Sequence, residues 1–309
     1  MNAAARDESL GSVLVALAAN VAIAVAKGTA AALTGSPALF AETVHTVADA
    51  GNEVLLYVAI RRSRHPADPS HPFGYGPERY YWALLAAIGM FVVGGAVSIW
   101  DGVQALAHPR ELEAFWAGVA VLVIALVLDG GSRVVARRQL RMQAARRELS
   151  MREYLRESAD PTVVTVFVED TIDVLGAALA LVAIVLHRVT GSSIPDALGS
   201  VVIGGLLCVV AWRLTARNRG LLTNQSVPDR YVQRLRDRLE TEPTIHAVPR
   251  LEAVYLSPTE VLAVADVEMS DGLTGTEVAS ALARMRADVV RETPAIARLY
   301  LTPVAPLEP

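Results

Sequence analysis

The stretch ALFAETVHTVADAGNEVLLYVAI, residues 38–60, is long enough to cross a membrane as a helix, yet it holds four ionisable side chains. A span of the ~30 Å hydrocarbon layer takes ~20 apolar residues, and an ionisable group inside it is costly enough to signal a function. Glu42, His45, Asp49 and Glu53 follow one another at intervals of 3, 4 and 4 residues. At ~100° per residue these intervals keep all four within roughly 80° of one helix face. Such a stripe has to face a bundle interior or water rather than lipid. A histidine with a carboxylate one turn away is also a ready pair of ligands for a divalent cation.

The rest of the chain fits this reading. Of 309 residues, 53% are hydrophobic and only 19% charged, too apolar for one ordinary soluble fold. The apolar residues gather into six stretches of spanning length: 14–34, 38–60, 80–106, 115–132, 162–187 and 195–214. A net charge of −4 leaves no basic excess to answer a phosphate backbone, which disfavours a nucleic-acid partner. Cys208 is the single cysteine, so a disulfide framework and a cysteine zinc ribbon are excluded, and metal chemistry must use His, Asp and Glu.

Arginines alternate between the connections. Arg61, Arg62, Arg64 and Arg79, then Arg133, Arg137, Arg138, Arg141, Arg146, Arg147, Arg152 and Arg156, then Arg213, Arg217 and Arg219 fall on one side, against only Arg110 and Arg188 on the other. Short cytoplasmic loops collect basic residues, so both termini are expected in the cytoplasm. The opening MNAAARDESLGS is polar and acidic rather than a cleavable signal, and the expected site is a bacterial cell (inner) membrane.

The fold class expected is therefore an α-helical membrane protein with a transmembrane domain at 1–220 and a small α+β domain at 221–309. The tail reads as an amphipathic helix (PDRYVQRLRDRLETEP), two alternating runs (RLEAVYLS, EVLAVADVEMS), a second helix (TGTEVASALARMRADVVRET) and a closing strand (ARLYLTPV). That αββαβ order suits a three-stranded sheet covered by two helices, with regulatory or dimer-forming work. No strong metal site is expected in it.

The fifth stretch repeats the acidic theme. Glu169 and Asp173 are four apart on one face, while Asp170 points elsewhere. With opposite helix directions, Asp49 and His45 stand roughly 17 and 23 Å from the inner end, and Glu169 and Asp173 roughly 12 and 18 Å, so the pairs can meet. One imidazole and three carboxylates suit tetrahedral Zn²⁺ and are acceptable to Mn²⁺, Co²⁺ or Fe²⁺. Buried ion pairing to Lys27 covers too little, since one lysine cannot neutralise so many acids. Lys27, Glu42 and Glu53 are individually expected to be structural, and Asp129 is open between the two roles. His65, Asp68 and His71 in the proline-pinned HPADPSHPFGYG loop form a second candidate, balanced against a plain solvated turn. His108, His187 and His246 are expected at the surface.

These residues resemble the cation diffusion facilitators over nearly the full length. The matching pieces are Asn20 to Lys27, TGSPALFAETVHTVAD, HPFGYGPER and EDTIDVLG. The likeness implies six membrane spans with a ferredoxin-like cytoplasmic domain, commonly as a homodimer, and metal carried between His45, Asp49 and Asp173. At Glu169 many members have histidine. DPSHP and ADPTVVTVFVEDT look nearest to the zinc-transporter-nine branch, where the Glu-Asp pair is usual and Asp170 can substitute for Asp173. Asp68 and His71 match an accessory site of some members, but Tyr75 stands where a third histidine is needed, so that site is expected to be weak or absent.

The expected function is a Zn²⁺/H⁺ antiporter exporting metal from the cytoplasm, with no resident cofactor and with lipid, metal ion and proton as its partners. Ligation needs a neutral imidazole and ionised carboxylates, so metal and protons compete. An enzyme is disfavoured because no HExxH and no nucleophile–base pair occurs in any span. A metal sensor that binds without transport is the remaining alternative.

Overall fold

The computed structural model describes residues 3–146 and 148–305. Met1, Asn2 and Arg147, used in the sequence reading, lie outside the described residues. Two compact units are present: one holds 1–62, 78–155 and 161–219, the other 63–77, 156–160 and 220–309.

The first unit is a helix bundle. Helix α1 (Ala3–Thr34) ends at Gly35, whose φ of 67° is a left-handed position that suits glycine. The Gly35 amide donates back to the Ala31 carbonyl at 2.9 Å and closes the last turn. Helix α2 (Pro37–Arg62) then starts at once. Ser36 Oγ accepts the Leu39 amide at 3.2 Å as a cap, and Pro37 takes the first helical position, where no amide hydrogen is needed.

Two more helices converge on this start. They are α7 (Pro161–Thr190) and α8 (Ile194–Leu222). Asp196, in the first turn of α8, accepts from Ser36 Oγ at 2.7 Å and from the Ala38 amide at 3.1 Å. Its second oxygen lies 3.2 Å from Nδ1 of His187, on the last turn of α7. His187 is thus buried rather than at the surface, because a carboxylate from the next helix folds back over it. Asp196→Ala should lower stability by about 3 kcal/mol, since it strands three buried donors, whereas Asp196→Asn keeps an acceptor and should lose less. Thermal unfolding in detergent checks the order.

The expected third span is α3 (Glu78–Gly89) and α4 (Val97–Ala107), joined by a π-helical turn at Met90–Ala96 that holds Gly94 and Gly95. α5 (Phe115–Arg146) runs about 48 Å, well past the apolar stretch at 115–132. Arginine, glutamine and alanine form helix readily, so the backbone does not stop where hydropathy does. A short α6 (Met151–Glu157) follows. By length and composition, four stretches among the described residues can cross a membrane: Glu78–Ala107, Phe115–Ala145, Val164–Thr190 and Ile194–Leu222. The other two expected spans are also helical. In α1 the described apolar part is Asn20–Thr34, and α2 owes its lower hydropathy to its acidic stripe.

The packing is that of a membrane bundle. Alanines at 30, 31, 38, 41, 177, 180 and 183 fill much of the interior, letting backbones approach closely. Large apolar side chains such as Trp116, Val127 and Trp212 lie outside, 77%, 68% and 71% exposed, as a lipid-facing surface requires. α2 is central and packs against α1, α3, α4 and α7. Its buried residues, Ala38, Glu42, His45, Asp49, Asn52, Leu56 and Ala59 among them, repeat every three or four positions.

In the second unit the order is α9 (Asp229–Glu240), β1 (Ile245–Ser257), β2 (Glu260–Met269), α10 (Gly275–Glu292) and β3 (Ile296–Val304), the αββαβ pattern read from the sequence. β2 is central, antiparallel to β1 and parallel to β3 through the α10 crossover. Leu235, Leu239, Leu282, Met285 and Val289 from the helices cover Val248, Ala263, Val267 and Leu299 of the sheet. β1 starts five residues before the alternating run RLEAVYLS, because register breaks between 245 and 250 hide its period. Two loop segments join this unit rather than the bundle. Arg298 on β3 donates to the Pro72 carbonyl at 2.8 Å and lies over the Phe73 ring, and Arg230 pairs with Glu157.

Candidate metal centre

The stripe on α2 meets α7 inside the bundle. His45 is fully buried; its Nε2 lies 3.3 Å from Asp49 Oδ2 and 3.7 Å from Asp173 Oδ1. The three residues offer donor atoms that all lie within 4.8 Å of one another. One helical turn separates His45 from Asp49, and α7 brings Asp173 to the same depth. Both His45 nitrogens and both Asp49 oxygens are buried without a hydrogen-bond partner among the described residues. Unpaired buried polar atoms are costly, and a shared cation or proton would satisfy His45 Nε2 and the Asp49 carboxylate together.

Glu169 sits one turn before Asp173 on α7 and is buried, but its carboxylate accepts from the Asn52 side-chain amide instead of joining the trio. Asn52 continues the α2 stripe three residues after Asp49. The sequence reading missed it because a neutral amide does not stand out among ionisable groups, although its spacing places it on the same face. Asp170 points to α5, where Ser132 Oγ donates to it at 3.3 Å.

Lys27, Glu42 and Glu53 have partners of their own. Lys27 Nζ on α1 donates to Glu42 Oε2 and to Thr46 Oγ1, each at 3.0 Å, and Asn20 donates to Glu53 at 3.0 Å. Glu42 lies against α7 at Gly176, where any Cβ would overlap its Oε1. Gly176 is a site residue with no chemical signal in the sequence beyond standing three positions after Asp173. Asp129 is half-buried on α5.

The loop candidate has a different character. Asp68 Oδ1 accepts from Ser70 Oγ at 2.6 Å and from the Ser70 and His71 amides at 2.8 Å, while Oδ2 accepts from Tyr75 OH at 2.8 Å. The Ser70 hydroxyl first, then Tyr75 and the His71 amide, hold this exposed carboxyl below its ordinary value. The His71 ring packs against Tyr75 at 4.0 Å and both Asp68 and His71 are exposed. The geometry is that of a hydrogen-bonded turn, and Asp68 and His71 have no third ligand grouped with them among the described residues.

Residues 13–223 match the family model described as the cation efflux transmembrane domain. The chain belongs to the cation efflux, or cation diffusion facilitator, family. It is 34% identical over 235 residues to the human protein named proton-coupled zinc antiporter SLC30A9, mitochondrial, a match that covers 76% of this chain and 41% of the relative. Metal tolerance protein C4 of Arabidopsis thaliana is 32% identical over 242 residues, 77% of this chain and 52% of the relative. Cation-efflux pump FieF of Escherichia fergusonii is 26% identical over 245 residues, 78% of this chain and 74% of the relative. The chain thus spans about half or less of the length of the first two. These relatives place it near the zinc-transporter-nine branch. They also overturn one expectation: a bacterial cell membrane does not stand when the similar proteins include one named as mitochondrial and one from a plant. A multi-pass membrane protein is what remains.

Proposed function

We propose that this chain is a secondary active transporter that exchanges a divalent cation, Zn²⁺ first, for protons. The carrying observation is the meeting of His45 and Asp49 on α2 with Asp173 on α7, three donors within 4.8 Å in the interior of a membrane bundle. The names of the similar proteins, a zinc antiporter and a cation-efflux pump, support the same reading. Metal binding at Nε2 of His45 and at the two carboxylates requires all three to be free of protons, so each bound ion displaces protons and protons displace the ion. That competition couples the two fluxes. Glu169 completes a tetrahedral set when it leaves the Asn52 amide, and the set also accepts Mn²⁺, Co²⁺ and Fe²⁺ less selectively. Residues 1–220 carry transport in this reading, and 221–309 form a ferredoxin-like domain that serves regulation or homodimer formation.

Proteoliposomes holding a pH-sensitive dye test it when challenged in turn with Zn²⁺, Mn²⁺, Co²⁺ and Fe²⁺. The expected result is proton movement driven by Zn²⁺ and absent in Asp49→Ala. Metal binding with no proton or metal flux would overturn transport and leave a sensor.

A further inference from the structure

Histidine binds metal through one nitrogen only when its single proton sits on the other. Nε2 of His45 faces Asp49 and Asp173, so for Nε2 to bind an ion shared with them the proton belongs on Nδ1. Nδ1 in turn faces Glu42 Oε1 at 3.8 Å, and both atoms are buried without a hydrogen-bond partner among the described residues. The other Glu42 oxygen is held by Lys27 at 3.0 Å, and Thr46, which shares that ammonium, donates back to the Glu42 carbonyl at 3.0 Å. Lys27 offsets the carboxylate's charge and fixes its rotation, leaving Oε1 aimed at the imidazole. Room for that oxygen against α7 exists because residue 176 is glycine.

We propose that Glu42 is a positioning residue for His45: its free oxygen accepts the Nδ1 proton, fixes the tautomer with an open Nε2, and Lys27 holds Glu42 in place to do so. This inference rests on the metal reading above. Closing the gap from 3.8 Å to an ordinary hydrogen bond takes a shift of about 1 Å. Lys27 and Glu42 then form a supporting layer behind the ligand, not merely a buried ion pair.

Glu42→Gln tests the idea because it reverses the hydrogen bond. With Lys27 still donating to the side-chain carbonyl, the amide NH₂ faces Nδ1 and donates to it, which moves the imidazole proton to Nε2. Zinc affinity, read by competition with a fluorescent chelator, is expected to fall about 10–100-fold, the usual cost of losing such a partner. In ¹⁵N-histidine NMR of the metal-free protein, the His45 signal, assigned by its loss in His45→Gln, is expected as Nδ1–H in the wild type and Nε2–H in Glu42→Gln. Wild-type affinity in Glu42→Gln, or Nε2–H in the wild type, overturns the proposal, and the second readout needs no variant that could fail to fold. Unchanged zinc affinity in His45→Gln would instead overturn the metal reading itself, so the two failures are distinguishable.

Discussion

Asp173→Asn is expected to abolish zinc-driven proton movement and to weaken zinc binding by more than the ~10–100-fold that loss of a supporting partner costs. The substitution keeps the size of the side chain and the packing of α7, but it replaces an anionic ligand with a neutral amide. His45 and Asp49 would remain as the only two donors of the trio, on one helix, with α7 left to offer only Glu169, which Asn52 engages. The loss should therefore appear in binding and transport alike, with thermal unfolding nearly unchanged. Two neighbours set the scale. Asp170→Asn should be close to neutral, because Asp170 faces Ser132 on α5. Glu169→Gln should fall between, since Glu169 is engaged by Asn52 and enters the ligand set only after release. A larger effect at Asp170 than at Asp173 would reassign the α7 ligand.

The ladder of effects rests on features that differ in how far the sequence exposes them. The α2 stripe was legible because helix periodicity alone puts Glu42, His45, Asp49 and Glu53 on one face, and charge in an apolar stretch has few innocent explanations. Depth matching by helix rise put Asp173 level with Asp49, and in the fold it lies within reach of both Asp49 and His45. The same arithmetic could not separate Glu169 from the trio, because that depends on a hydrogen bond from Asn52, a contact between helices. Asp196 and His187 were illegible for a similar reason. They stand at helix ends where charge is ordinary, and only the fold shows the carboxylate turned inward onto Ser36 and the Ala38 amide. Helix lengths were misjudged where charge replaced apolar residues without ending the helix, as along α5. The tail's order was read correctly because amphipathic helices and alternating strands carry their periods locally, whereas the capture of 63–77 by that unit depends on Arg298, more than two hundred residues away.

Gly176→Ala carries the second large expected effect, and its sign is opposite to what helix propensity gives. Glycine to alanine inside a helix ordinarily stabilises by about 0.5–1 kcal/mol. At 176 the added methyl would overlap Glu42 Oε1 and stand 3.1 Å from its Cδ. The carboxylate cannot swing away freely, because Lys27 holds it and both are buried. Relief requires either separating a buried ion pair or moving α7 from α2, and overpacking of this kind costs about 1–3 kcal/mol. Either route also disturbs the site, since Glu42 stands behind His45 and Asp173 is one turn from the methyl. We therefore expect lower thermal stability in detergent together with weaker zinc binding. Gly51→Ala is the matched control, because on α2 a methyl there meets nothing within 4 Å and should leave stability equal or higher. Glu42→Asp shortens the carboxylate by one methylene and should recover part of the stability lost in Gly176→Ala, a coupling expected only of residues in contact. If Gly176→Ala were as stable and as tight for zinc as Gly51→Ala, the placement of Glu42 against α7 would be wrong, and with it the support behind His45.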